Sequence, residues 1–283
     1  MKAFELTQST MKPALRTLLR PVVSPRVFQS VRFRWWYISS YFPGLVISRF
    51  VKRTPHVRAF DSAQAPSHLA KQLQSVNALA PTRMCRVMTR NGSDKARAHR
   101  YTAVYSALFK PRYDQRLRIV ELGLGTNNPD APSSMGVFAI PGASLRGWRD
   151  LFPNAQVYGA DIDRRILFQE ERIKTFYCDQ LDSSSVRELW SQPELQDGAD
   201  IIIDDGLHTM EANVHFLEES LDRLRPGGIF ITEDILRNRV DDWCDRLETL
   251  YSKQYPMYEF AFVVLPDRKN QDHNLLVVRR KGN

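Results

Sequence analysis

Between residues 118 and 234, short apolar runs stop again and again on a glycine or an acid: 118–122 runs into Gly123, 156–160 into Asp161, 174–178 into Asp179, 199–203 into Asp204 and 229–232 into Glu233. Each run is too short for a helix, and helix-compatible stretches separate them. That alternation predicts parallel strands joined by crossover helices: an α/β chain with a doubly wound, Rossmann-like sheet. Two more runs, 258–265 and 274–279, have no helix between them and are expected to finish the sheet as an antiparallel pair, giving seven strands in all. Ser144 is expected to cap a helix running to Phe152, and Ser185 with Glu188 forms a capping-box pattern. Pro226-Gly227-Gly228 is expected to end a long helix that starts near Met210.

Charge divides the chain. Its 283 residues carry a formal net charge of +8, from 40 Lys or Arg and 32 Asp or Glu. Residues 1–60 hold eleven of the basic residues against the single acid Glu5, which leaves 29 basic against 31 acidic in the remainder. Three parts are therefore expected: a basic, aromatic N-terminal extension over 1–60, a linker with a short helix over 61–93, and the α/β catalytic domain over 94–283. In the extension, Phe33, Trp35, Trp36, Tyr37, Tyr41 and Phe42 surround Arg34. Aromatics interleaved with arginine suit an anionic membrane surface. An arm packed on the domain, or on a second subunit of a homo-oligomer, is the equal alternative.

Because the rest of the chain has no basic excess, nucleic acid is not the expected partner. The longest apolar stretch, 35–47, is interrupted by Ser39, Ser40, Pro43 and Gly44 and falls short of the roughly 20 residues that a spanning helix needs. Residues 1–34 are Arg-rich and acid-poor like a transit peptide, without the compact apolar run of a secretory signal. Cys85, Cys178 and Cys244 show no zinc-cage spacing and suit a reducing compartment. The expected location is cytoplasmic, peripheral to a membrane.

In a doubly wound sheet, ligands sit in the crevice outside the carboxyl ends of the strands. The first strand leads into Glu121-Leu122-Gly123-Leu124-Gly125, where a backbone without Cβ can approach a nucleotide-like cofactor. A dinucleotide fingerprint would have glycine at Asn128. Glu121 inside the motif and Asp161 after the second strand fit the S-adenosylmethionine version of the fold better. There Asp161, with Asp163 close by, would accept from the ribose hydroxyls, and Asp179 from the adenine amino group. Each could instead be a solvated strand end or a helix cap.

Asp205, Glu233 and Asp234 follow two further strands and can converge at one mouth. An all-oxygen cluster suits a hard divalent cation: Mg²⁺, or else Ca²⁺ or Mn²⁺. Acidic caps are the alternative. His208, three residues past Asp205, can reach the same mouth as a proton acceptor; His99 and His215 are weaker candidates.

At these residues the chain resembles the metal-dependent sugar O-methyltransferases of macrolide biosynthesis and the related rhamnosyl O-methyltransferases. The resemblance runs from about Gly92 to Arg279: Ser93-Asp94-Lys95 with His99 and Tyr101, the Glu121-Leu122-Gly123 turn, Gly142 through Trp148, Phe152 through Ala155, Tyr158 through Asp163, Asp204 through His208, and Glu233-Asp234. It implies a class I methyltransferase with S-adenosylmethionine as cofactor, bound by Glu121, Gly123, Gly125, Ser144, Asp161, Asp163 and Asp179. It further implies Mg²⁺ on Asp205, Glu233 and Asp234, His208 as the catalytic base, and a sugar or glycan acceptor. Leu207, the segment after Asp234 and the insertion 126–143 depart from the family pattern, and a loop of that length in a compact domain is expected to be a lid or binding loop. A catechol-type or nucleic-acid methyltransferase, or a non-catalytic S-adenosylmethionine-binding protein, are the alternatives.

Overall fold

The computed structural model describes residues 25–50, 53–60, 67–96, 99–131, 133–136, 138–265 and 274–282. The start of the expected extension, 1–24, lies outside them. The strands are β1 (His56–Phe60), β2 (Arg118–Leu122), β3 (Gln156–Asp161), β4 (Gln169–Glu170), β5 (Ile173–Tyr177), β6 (Ala199–Asp204), β7 (Leu224–Ile235), β8 (Tyr258–Val264) and β9 (Asn274–Arg280). The helices used below are α1 (Pro25–Trp36), α2 (Phe42–Phe50), α3 (His68–Gln74), α4 (Arg83–Asn91), α5 (Thr102–Phe109), α6 (Ala143–Leu151), α7 (Ser183–Trp190), α8 (Met210–Ser220) and α9 (Val240–Arg246).

All the strands join one sheet in the order β1-β8-β9-β7-β6-β2-β3-β5-β4. Strands β5, β3, β2, β6 and β7 run parallel, and β9 and β8 complete one side antiparallel, as expected. The strand order reverses at β2, which has β3 on one side and β6 on the other. That switch point is where a doubly wound sheet opens its binding crevice.

Both faces are covered, which is why the strands read as continuous apolar runs. Ile119, Ile201, Ile203, Ile229 and Ile231 pack with Met84, Met88, Tyr105, Leu145 and Trp148, from α4, α5 and α6. The alternate residues Val120, Ile202 and Phe230 pack with Val186, Trp190, Phe216 and Trp243, from α7, α8 and α9. Trp36 and Tyr41 of the extension are buried in the first of these layers, at 7% and 6% exposure. All three cysteines are free and buried.

The structure differs from expectation in specific places. Among the described residues the sheet has nine strands, against the seven expected. The added ones are β1, which pairs antiparallel with β8, and the two-residue β4. The expected linker carries α3 and α4, with Leu69, Leu73, Met84 and Met88 fully buried. Ser144 does not cap α6: Gly142 is the cap residue, at φ +71. Asp182 caps α7 by accepting from Ser184 N, so Ser185 lies one turn inside. Pro226-Gly227-Gly228 falls within β7, where Ala199 pairs with Leu224 but Ile201 pairs with Ile229. The intervening residues are thrown out as a bulge, and α8 ends earlier, at Ser220.

Candidate active site

The Gly123 turn ties β2 to the next strand ends. Gly123 has φ +92, and a Cβ there would lie 1.9 Å from the carbonyl oxygen of Asp205. Only glycine permits that approach. Asp205 N in turn donates to Leu122 O at 2.9 Å. The Asp161 carboxylate shapes the same turn, accepting from Leu124 N and from Asp163 N, both at 2.8 Å. Burial raises its pKa against those bonds. Asp163 accepts from Thr126 Oγ1 at 2.7 Å and from Arg165, whose guanidinium is the main reason its carboxyl falls to about 2. Asp179 accepts from Leu181 N at 3.0 Å after β5. The 126–143 segment folds back over the turn through Met135 N to Thr126 O, 2.9 Å, and Gly142 N to Leu124 O, 2.7 Å.

Two expected cofactor contacts are placed elsewhere. Glu121 shares with Ile119 the strand face toward α6, is fully buried, and accepts from Ser144 Oγ at 2.5 Å and from Trp148 Nε1. Glu121 and Ser144 therefore engage each other beneath the turn.

The second half of the site hangs from β6 and β7. Asp204 turns into the core, where Gln180, Asn213 and Gly206 N donate to it and burial lifts its carboxyl to about 7. Asp205 points to the mouth. At the end of β7, Thr232 pairs with Leu276 but Ile235 pairs with Asn274, so Glu233 and Asp234 form a bulge opposite one residue of β9. A regular strand would send consecutive side chains to opposite faces. The bulge, with Asp234 at φ +55, brings both to the same side.

That side is held by a segment in which the motif reading gave chemistry only to His99, as a weaker proton acceptor. Gly92, at φ +94, ends α4 and reverses the chain so that Lys95 points inward at 1% exposure. Lys95 Nζ donates to Asp205 Oδ2 at 2.6 Å and to Glu233 Oε1 at 2.7 Å, and lies 3.5 Å from Glu121 Oε1. One ammonium thus joins the ends of β2, β6 and β7. Burial opposes its charge, but the carboxylates of Asp205, Glu121 and Glu233 hold it protonated. Tyr105 OH also donates to Glu233, and Tyr101 OH to Asp234. His99 Nδ1 lies 3.0 Å from Asp234 and His99 Nε2 lies 3.4 Å from Asp94. Burial disfavours the imidazolium, yet those two carboxylates raise its pKa to about 11. Asp234 correspondingly sits at about 2, the His99 contact outweighing burial. His215 is engaged with Ser183 Oγ and Gln180 O, away from the mouth.

His208 has φ +61, and its Nε2 is 4.0 Å from Asp205 Oδ1 and 3.8 Å from Asp234 Oδ2. Its Nδ1 is buried without a hydrogen-bond partner. His208 and Asp234 are two of the four non-glycine residues with positive φ among the described residues. Such backbones persist where surrounding structure imposes them, commonly at functional sites. Among the described residues, Asp205, His208 and Asp234 form the group whose ligand atoms lie within 4.8 Å of one another. These gaps are too long for hydrogen bonds and suit a cation with bonds of about 2.0–2.6 Å. Glu233, expected in the ligand set, is instead turned to Lys95 and Tyr105 and stands outside that group.

Sheet order, glycine turn and acidic strand ends together have the Rossmann-like fold of class I S-adenosylmethionine methyltransferases. The MycE methyltransferase of the mycinamycin pathway, solved with Mg, SAH and mycinamycin VI, shares this fold at TM-score 0.53 and 24% identity, over 76% of this chain and 60% of that one. No family model matches the chain.

Its curated homologues are sugar O-methyltransferases. The tetracenomycin 2'-O-methyltransferase of Streptomyces olivaceus, which acts on 8-demethyl-8-alpha-L-rhamnosyl tetracenomycin-C, is 38% identical over 146 residues, 52% of this chain and 36% of that enzyme. Mycinamicin VI 2''-O-methyltransferase of Micromonospora griseorubida is 32% identical over 139 residues, 48% of this chain and 32% of that enzyme. The chain thus spans about a third of the length of these two relatives. The resemblance read from the motifs and these homologues point to the same group of enzymes.

Proposed function

We propose that this protein is an O-methyltransferase that uses S-adenosylmethionine and a hard divalent cation, Mg²⁺ first, to methylate a sugar hydroxyl of a glycan or glycosylated natural product. The observation that carries the proposal is the convergence of Asp205, Asp234 and His208 at one mouth, beside the Gly123 turn whose backbone Asp205 contacts. Asp205 and Asp234 supply oxygen ligands, while Lys95 and Tyr105 keep Glu233 in reserve behind them. A bound cation would lower the pKa of the acceptor hydroxyl and fix its position. Bound S-adenosylmethionine supplies a methyl group already activated on a sulfonium, so alignment and proton removal are the protein's tasks. As the oxygen–carbon bond forms and the carbon–sulfur bond breaks, His208 Nε2, which faces the carboxylates, takes the hydroxyl proton. Asp94 and Asp234 stabilise the imidazolium of His99, which holds Asp234 in place.

Asp161 and Asp179 form the cofactor rim, with Asp161 accepting from the ribose. Asp161→Ala should weaken S-adenosylmethionine binding by about 1–3 kcal/mol, since charge-assisted hydrogen bonds are lost and Leu124 N is left unpaired. Calorimetric titration measures this directly; an unchanged affinity removes Asp161 from the rim.

The N-terminal helices support a peripheral membrane role. No described helix is long and apolar enough to cross a membrane. Trp36 and Tyr41 face inward, while Val31, Trp35, Ile38, Phe42 and Ile47 are 43–74% exposed, with Arg34 and Arg49 also exposed. An apolar face flanked by cations fits an anionic bilayer. The full chain should sediment with phosphatidylglycerol vesicles and not with phosphatidylcholine vesicles. Equal sedimentation with both, or with neither, rejects the membrane role.

A further inference from the structure

A second cavity opens on the opposite side of α6 from Glu121. Ser144 and Trp148 turn inward to that carboxylate, whereas Arg146 turns outward. The cavity measures about 560 Å³ and lies among α1, the end of α4 and the start of α6. Arg34, Arg90 and Arg146 line it, with Asn91 beside them and Phe33 and Ile140 as apolar walls. That volume lies within the range of small-molecule sites.

The arginines are not alike. Arg146 is fixed: it donates to Pro141 O at 2.7 Å and to Glu170 at 2.7 Å, and it lies over the Phe168 ring at 4.5 Å. Glu170 is shared with Arg149, which also pairs with Asp150. Asp150 in turn accepts from Asn91 at 3.0 Å. Among the described residues, no ion pair joins Arg34 or Arg90 to a carboxylate. Of the three guanidiniums that line the cavity only Arg146 is paired with a carboxylate, so Arg34 and Arg90 bring two uncompensated positive charges to a concave space. Planar guanidinium forks match phosphate oxygens pairwise, so a dianion such as a phosphate or diphosphate fits both charge and shape.

Placement connects this cavity with the mouth. Ile140 belongs to the segment that returns to the glycine turn through Gly142 N and Leu124 O, 2.7 Å. Asn91 precedes Lys95 by four residues, so their Cα atoms are at most about 15 Å apart. A sugar carrying a diphosphate can bridge such a distance.

We propose that this cavity binds the phosphate or diphosphate of the acceptor, which makes the acceptor a sugar phosphate or sugar diphosphate. The word acceptor rests on the methyl-transfer reading; the anion site itself does not. The test is calorimetric titration of the full chain with inorganic pyrophosphate, in chelator so that no cation mediates binding. The wild type should bind, and Arg34→Ala and Arg90→Ala should each weaken binding tenfold or more while keeping the wild-type melting temperature. Asp205→Ala, at the other site, should bind pyrophosphate like the wild type. No binding, or binding indifferent to both arginine substitutions, overturns the site. So does attachment to phosphatidic acid vesicles that requires Arg34 and Arg90 while soluble pyrophosphate does not bind, because the arginines would then read a lipid headgroup. If pyrophosphate binds as expected but glycosides are methylated and no sugar phosphate is, the anion site stands and its role in holding the acceptor is overturned; if neither is methylated, the methyl-transfer reading falls and the anion site remains.

Discussion

Replacing Lys95 with Met is expected to cost about 3–5 kcal/mol of folding stability, the usual penalty for removing one partner from a buried ion cluster. Lys95 is 1% exposed and is the ammonium between Glu121, Asp205 and Glu233. Its removal leaves those carboxylates facing one another, two of them, Glu121 and Glu233, shut off from water. The shape of the loss with pH identifies the cause. A carboxyl whose folded pKa lies above its unfolded value stabilises the fold at acid pH and loses that contribution as pH rises through the folded pKa. Burial already lifts Asp205 to about 6 against the pull of Lys95, and without the ammonium it rises further. The deficit of chelated Lys95→Met should therefore be small near pH 5 and grow toward pH 8. Denaturant titrations across that range measure it; a deficit independent of pH would mean that Lys95 contributes packing alone. Arginine should not restore stability, because a planar fork is larger than the ammonium that three carboxylates enclose at 1% exposure.

His208→Ala is expected to slow methyl transfer by roughly 10²–10⁴-fold, the range for losing a positioned base. Affinity for the cofactor should stay near wild type, since the Gly123 turn and Asp161 depend on β2 and β3. Cation affinity should also persist, because Asp205 and Asp234 remain. Asp205→Ala should behave differently, losing both turnover and the cation while still binding S-adenosylmethionine. Rates compared with cation titrations of the two variants separate the base from the ligands. Were His208→Ala to lose the cation as Asp205→Ala does, His208 would be a ligand, and the proton would have to leave by another group.

The parallel strands were legible because they are buried on both faces and end on acids or glycines, so their runs of Ile and Val stand out. Strand β1 was not: His-Val-Arg-Ala-Phe is polar enough to read as part of the basic extension, and only its distant partner β8 makes it a strand. The helix starts differ where an earlier residue takes the cap position: Gly142, left-handed, before Ser144, and Asp182, which accepts from Ser184 N, before Ser185.

At the site, Asp205, Asp234 and His208 could be read from their positions after strands. Spacing alone groups Glu233 with Asp205 and Asp234, because it reveals neither a bulge nor that Glu233 faces Lys95 and Tyr105. Lys95 was visible only as part of Ser93-Asp94-Lys95, since a lysine is almost always a surface residue and nothing local marks this one as buried. Tyr101 and Tyr105, four apart and so on one helical face, were the available signal that two hydroxyls point the same way.

Cation-dependent methyl transfer to a sugar hydroxyl can be followed through the fate of the methyl group itself. The full chain is incubated with S-adenosylmethionine labelled in its methyl group and a panel of deoxysugar glycosides and sugar phosphates, with Mg²⁺ or with chelator. The account predicts label in a sugar O-methyl ether with Mg²⁺, its loss on chelation, and its return when Mg²⁺ is restored. Methyl transfer at the full rate in chelator would contradict it and return Asp205 and Asp234 to the role of strand-end acids.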